Sequence, residues 1–141
     1  LYYDSTYLDG NFGGWLEGNV VVDKEGQIWD MLRVDDRSTL EEKAARVKIS
    51  NDGKTASFDP KTGFISFPGG SKKFTIRYDE PSGLYWTIAN VIPEDIKKDH
   101  QDKNPAGLRN TQALFSSPLK MAAKKGAFAT SRCRQTRVSI C

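Results

Sequence analysis

The chain has 141 residues, of which 38% are hydrophobic, enough for one ordinary domain with a buried core. No apolar run approaches the ~20 residues of a membrane span and no charged-then-apolar signal segment opens it. The expectation is therefore a soluble chain, or a piece of one, with no membrane partner. The net charge of +3 is unevenly placed: residues 119–141 hold six Lys or Arg and no acid, leaving 15 basic against 18 acidic residues in 1–118. The basic balance is thus no argument for nucleic acid as a partner.

Short runs of period-two alternation between turn signals predict strands near 18–23 (GNVVVD), 27–34 (QIWDMLRV) and 44–50 (AARVKIS). Four more follow near 64–67 (FISF), 72–79 (KKFTIRYD), 84–91 (LYWTIANV) and 110–116 (NTQALFS). The breaks at Lys24-Glu25-Gly26, Asp52-Gly53, Pro68-Gly69-Gly70 and Pro81-Ser82-Gly83 are short and contain Gly, which favours antiparallel hairpins. Only STLEEKAARV has helical composition; Ser38 and Glu41 have capping-box spacing, and the alternative is a single turn leading into a strand. This pattern predicts an all-β fold of antiparallel hairpins: a sandwich, barrel or propeller. SNDGKTASF at 50–58 has the order of a hairpin turn that repeats in some propellers, and SSP at 116–118 holds a similar strand-to-turn position; two ordinary hairpins are the alternative.

The stretch GGWLEGNVVVDKEGQIWDMLRV places Glu17 at the mouth of one strand and Arg33 on the next, with the Glu25-Gly26 turn folding the two together. Either they face one pocket, or they are an edge carboxylate and a structural arginine in a surface ion pair worth little. Arg109, in the LRNT stretch with Asn110 beside it, is read equally as a structural arginine at a loop end or as the binding contact that the resemblance described next implies. Trp15, Trp29, Tyr85 and Trp86 are either core or, if the resemblance described next holds, a platform for sugar stacking, with Trp15 first because it stands beside Glu17. His100 lies in the polar run KKDHQDKNP and reads as solvated. Cys133 and Cys141 form a Cys-x7-Cys pair with no familiar zinc spacing to His100, so no metal site is expected there, and the mechanism implied by the resemblance described next calls for no metal or organic cofactor.

The pattern E-x-x-V-V-x-x-x-x-G-x-x-x-x-x-x-R followed by S-x-D-G-K-T resembles the central part of bacterial sialidases, β-propeller glycoside hydrolases whose S-x-D-G-x-T hairpin is called an Asp-box. The longer string, from GWLEGNVVV through DGKTASFDP, GFISFPGG, KKFTIRYD and YWTIAN to RNTQALFSSP, is similar to uncharacterised members of the sialidase-like superfamily. The resemblance covers residues 13–118 and implies about two blades of a propeller, with a glycan, including one with an acidic terminal sugar, as the partner. It also implies a secreted or periplasmic location. Glu17 would match the catalytic glutamate. Sialidases use a tyrosine nucleophile, and a phenol with a pKa of about 10 needs such a base near neutrality. Arg33, and Arg109 with Asn110, would match contacts to the sugar carboxylate, which a planar guanidinium holds through two parallel charge-assisted hydrogen bonds. Neither the tyrosine nor the acid/base aspartate of the family can be assigned, although Tyr2, Tyr3, Asp4 and Asp9 lie in an uninterpreted opening stretch. A propeller has typically about four to eight four-stranded blades. Two blades leave a pocket incomplete, so this chain by itself is expected to be inactive. A non-catalytic glycan- or protein-binding propeller segment is the alternative.

Residues 119–141 (LKMAAKKGAFATSRCRQTRVSIC) form a basic tail without alternation or aromatic interleaving, expected to be disordered. The family usually continues after S-S-P with Asp-Leu and then a tryptophan, whereas this chain gives Met-Ala-Ala. Met121 is encoded only by ATG and Ala122 begins with G, so the frame advanced by one nucleotide reads TGG, tryptophan. Further on, TSRCRQTRVSIC can be back-translated so that the advanced frame reads HPDVDKHGFQYV, although codon degeneracy makes that match permissive. The expectation is that residues from about Lys120 onward are out of frame, and resequencing the coding DNA through codons 118–141 decides it. A small β-domain with a genuine basic arm is the competing reading; its nucleic-acid binding would fall steeply with salt.

Overall fold

A computed structural model describes residues 6–36, 41–99, 114–121 and 128–130. Among the described residues nine strands form two antiparallel sheets. The first holds β1 (Phe12–Val22), β2 (Ile28–Asp36), β3 (Lys43–Ile49), β4 (Ala56–Ser57) and β5 (Phe64–Ser66). The second holds β6 (Phe74–Asp79), β7 (Leu84–Asn90), β8 (Leu114–Met121) and β9 (Phe128–Thr130), in that order. The all-β expectation therefore stands. Two short helices, α1 (Pro60–Gly63) and α2 (Glu94–Asp99), were not expected from the sequence.

β4 and β5 both pair with β3, one at Lys48 and Ile49 and the other at Lys43 to Ala45. They are thus one fourth strand interrupted by α1, and each sheet is in effect a four-position meander. The interruption has local causes. Asp59 caps α1 by accepting from the Lys61 N–H at 3.0 Å, and Pro60 stands where a missing N–H costs nothing. At Gly63 a side chain would come within 2.3 Å of the Phe58 ring, so glycine lets that ring fold beneath the sheet.

Alternation along β2 buries both faces of the first sheet. Met31 joins Val21, Ala44, Ile65, Phe67, Ile76 and Tyr85 in the core between the sheets. Leu32 and Val34 point the other way, into a second core with Phe12, Ala45 and Val47, covered by Tyr7, Trp15, Phe58 and Phe64. On β7 the alternation is clean: Tyr85, Thr87 and Ala89 are buried, whereas Trp86 and Ile88 are exposed.

Polar contacts fix how the sheets meet. The Asn19 amide donates to the Phe74 carbonyl at 3.0 Å and accepts from the Ile76 N–H at 3.4 Å, so one β1 side chain pairs with the edge of β6. The Tyr85 hydroxyl donates to the Val22 carbonyl.

STLEEKAARV yields strand β3 from Lys43 onward, in keeping with the strand expected near 44–50 and with a turn leading into it, and residues 37–40 lie outside the described residues. Two placements differ from the sequence reading. Ser116–Pro118 lies within β8, opposite Ile88, Thr87 and Trp86, and not at a turn. β8 also crosses the boundary expected after residue 118, and β9 falls within 119–141. Cys133 and Cys141 lie outside the described residues.

Candidate functional site

The register of β1 against β2 slips between Trp15, opposite Val34, and Gly18, opposite Leu32. Three steps on β1 answer two on β2, which is a bulge, and bulges re-aim side chains. Glu17 sits in that bulge and Arg33 faces it. Glycine at position 18 leaves room for the Asp30 and Leu32 side chains, since a β-carbon there would lie 2.3 Å from an Asp30 carboxylate oxygen.

The bulge brings Glu17 and Arg33 together: Arg33 Nη1 lies 3.1 Å from Glu17 Oε2, with the guanidinium side chain 16% exposed and the carboxylate side chain 54% exposed. Arg33 Nε donates to the Ser71 carbonyl at 2.9 Å, which fixes the plane of the fork. Among the described residues Nη2 has no partner. Lys73 Nζ stands 3.5 Å from the other Glu17 oxygen. Glu17's own backbone N–H, with Arg33 and Lys73, holds its carboxyl below the ordinary glutamate pKa, against a weaker opposing effect of burial. Lys72 stands nearby, its pKa lowered by burial and by repulsion from Arg33.

The turn that supplies Ser71 is packed against β2 and β3. Gly70 accepts from the Val34 N–H at 3.2 Å. A side chain at position 70 would meet the Lys43 carbonyl at 2.3 Å, and Gly69 has a φ of +82° that suits glycine. Beneath this turn lies Glu42, 4% exposed, accepting from the Ser71 hydroxyl at 3.1 Å and the Ile92 N–H at 3.1 Å. Burial pushes its carboxyl pKa up, opposed by the N–H groups of Ile92 and Gly69, by Ser71 and by the charge of Lys97. Arg33, Lys72 and Lys73 thus gather against Glu17 and Glu42, a local excess of positive charge open to solvent at one end.

Comparison with protein-family models, curated proteins and solved structures returns no match. The chemistry of the site therefore rests on its own geometry.

Trp15 does not stand over the Glu17 pair. Its ring packs against Phe58 at 5.0 Å, Phe12 at 5.6 Å and Tyr7 at 6.1 Å, because the bulge separates its direction from that of Glu17. Its indole Nε1 is buried without a hydrogen-bond partner among the described residues. Trp29 is held by a 2.8 Å bond to Asp23 and lies under the Arg46 guanidinium at 4.7 Å. Tyr85 is buried, and of the four aromatic candidates only Trp86 is exposed, on the far face of the second sheet. Arg109, Asn110, His100, Tyr2, Tyr3 and Asp4 lie outside the described residues, and Asp9 falls in a 3-10 segment, Tyr7–Gly10.

A cleft of about 590 Å³ opens farther along β1, at the seam between the sheets, lined by Val20 to Lys24, Ile76 to Tyr78 and Tyr85. Neither Glu17 nor Arg33 lines it. Among the described residues, no three or more His, Cys, Asp or Glu side chains gather to hold a metal ion.

Three contributors were not singled out by sequence. Lys73 and Ser71 follow a Gly-Gly turn that signals only a hairpin, and Glu42 sits in the run of helical composition. The one available signal was the Gly69-Gly70 pair, which marks a close backbone approach.

Proposed function

We propose that the chain is a segment of a sialidase-like glycoside hydrolase and that Glu17, Arg33 and Lys73 form part of a site for an acidic sugar. The observation that carries this reading is the Glu17–Arg33 pair at 3.1 Å in a β-bulge, with the arginine fork held from behind by Ser71. A guanidinium with one edge fixed and Nη2 open can take a carboxylate, and Lys73 adds charge at the mouth. The four-position meanders accord with propeller blades. Arg109 and Asn110 remain candidates for a second contact to the same carboxylate. In the full hydrolase Glu17 would assist a tyrosine nucleophile. The segment alone, with its site open on one side, would bind weakly and turn nothing over.

A second reading, a non-catalytic glycan- or protein-binding propeller segment, is favoured by one observation. Glu17 has a lowered pKa, and among the described residues no tyrosine hydroxyl contacts it. A depressed carboxylate is a weaker base and a better ion-pair partner.

The experiment is an NMR titration of this chain with a sialic acid and with its methyl ester. The reading expects shifts at Arg33, Lys73 and Glu17 with the acid alone, lost in Arg33→Ala. Equal response to both sugars, or none, refutes it. Glu17→Gln in an intact homologue then separates the readings: binding kept with turnover lost favours the enzyme, and no turnover in either form favours the binding module.

A further inference from the structure

We infer that Glu42 is a positioning residue that holds Arg33 in place for the anion it binds, acting through Ser71. The inference deepens the acidic-sugar reading, because it names what fixes that site's arginine.

The chain of contacts is short and continuous. Glu42 lies immediately before β3, two residues from Ala44, which is Arg33's partner in the β2–β3 register. Its backbone carbonyl accepts from the Phe67 N–H at 2.9 Å, tying it to the start of the turn that ends in Ser71. Its carboxylate takes the Ser71 hydroxyl on one oxygen and the Ile92 N–H on the other, each at 3.1 Å. Ser71, itself 1% exposed, then offers its carbonyl to Arg33 Nε at 2.9 Å. A single buried carboxylate thus joins the turn before β6, the segment after β7 and the back of the arginine fork. Glu42 does not touch Arg33 and has no access to a ligand.

A carboxylate suits this place because it accepts several N–H and O–H bonds at once and donates none. The turn would otherwise bury donors without acceptors. With the Nε edge held by Ser71, the fork turns its Nη groups toward Glu17 and the solvent. Released from Ser71, a long side chain samples several rotamers, and the Glu17 pair loosens with it.

The test uses the full chain, isotopically labelled, and needs no ligand. It reads the Glu17 carboxyl titration and the exchange of the Arg33 Hε with water. Ser71→Ala keeps the carbonyl but cuts its tie to Glu42. It should move the Glu17 midpoint upward and speed local Arg33 Hε exchange by about fivefold, the loss of one ordinary hydrogen bond. Glu42→Ala should do more. Glu42→Gln should recover most of the wild-type behaviour, since its amide accepts from Ile92 and donates to the Ser71 hydroxyl. Val47→Ala is the control: it destabilises the opposite face of the first sheet and should leave both readouts unchanged. The proposal is overturned if Ser71→Ala moves neither readout, or if Val47→Ala moves both as much. Should Glu42→Ala fail to fold, Ser71→Ala still decides. A failed sugar titration with these shifts intact would reject the acidic-sugar reading alone, and the reverse would reject only the role of Glu42.

Discussion

Removing the Asn19 amide should loosen the joint between the two sheets. Its side chain makes two hydrogen bonds to β6 backbone, at 3.0 Å to the Phe74 carbonyl and 3.4 Å from the Ile76 N–H. Asn19→Ala leaves both groups half-buried without a partner. One lost hydrogen bond costs ~0.5–1.5 kcal/mol, and the second here is long, so the expected loss is about 1–2 kcal/mol. Asn19→Asp sharpens the test. A carboxylate can accept from Ile76 but repels the Phe74 carbonyl, whereas the protonated acid can serve both. The introduced acid should therefore have a folded pKa above its unfolded value of about 3.9. A raised pKa contributes stability that is fully present below about pH 3.9 and is lost as pH rises through the folded pKa. Urea unfolding of the three proteins at several pH values measures this. Wild-type stability for Asn19→Ala, or an Asn19→Asp deficit equally large at low and neutral pH, would refute the role of the amide.

Other perturbations test the remaining contacts. Glu17→Gln should cost no more than ~0.5 kcal/mol at neutral pH, since the carboxylate is half exposed and screened. With Glu17's folded pKa lowered, that contribution is present above the unfolded value and fades as pH falls through the folded one, so wild type and variant should converge in acid; a constant gap would contradict the pairing. Asp23→Ala removes acceptors for the Glu25 and Gln27 N–H groups and for the Trp29 indole, and should cost about 1–3 kcal/mol with a red shift of Trp29 emission; unchanged emission would place the indole elsewhere. Gly63→Ala should cost about 1–3 kcal/mol in urea unfolding by driving a methyl into the Phe58 ring, and a neutral result would show that the ring yields.

Sequence pattern reveals the strands wherever alternation and turn chemistry agree, as at GNVVVD, QIWDMLRV and LYWTIANV. It fails where a local device overrides the period. β1 begins at Phe12, well before the expected residue 18, because the bulge at Glu17 breaks the alternation that would have marked it. The fourth strand of the first sheet reads as one short run because α1 divides it, and the Asp59-Pro60 cap looks like any turn. Of the two readings of STLEEKAARV, a helix or a turn leading into a strand, the strand holds from Lys43, where tertiary packing decides against helical composition. The pairing of Glu17 with Arg33 was legible because a hairpin of known turn brings i and its cross-strand partner together. Trp15 was misjudged for the same reason that Glu17 was re-aimed: two residues apart on a regular strand share a face, but across a bulge they do not.

The supporting shell of the site could not be read from spacing at all. Ser71 and Glu42 are separated from Arg33 by 38 and 9 positions in sequence; Ser71 meets it, and Glu42 meets Ser71, only because the Gly69-Gly70 turn passes within contact of β3. That turn is also the link between the two sheets, since β6 follows it directly. The orientation of Arg33 is therefore a property of the packed pair of sheets and not of the β1–β2 hairpin that carries both Glu17 and Arg33. An isolated peptide of residues 12–36 would keep the cross-strand neighbours yet lose the carbonyl that sets the plane of the fork. Any recognition that needs a directed guanidinium should vanish in that peptide, whereas simple charge attraction should persist.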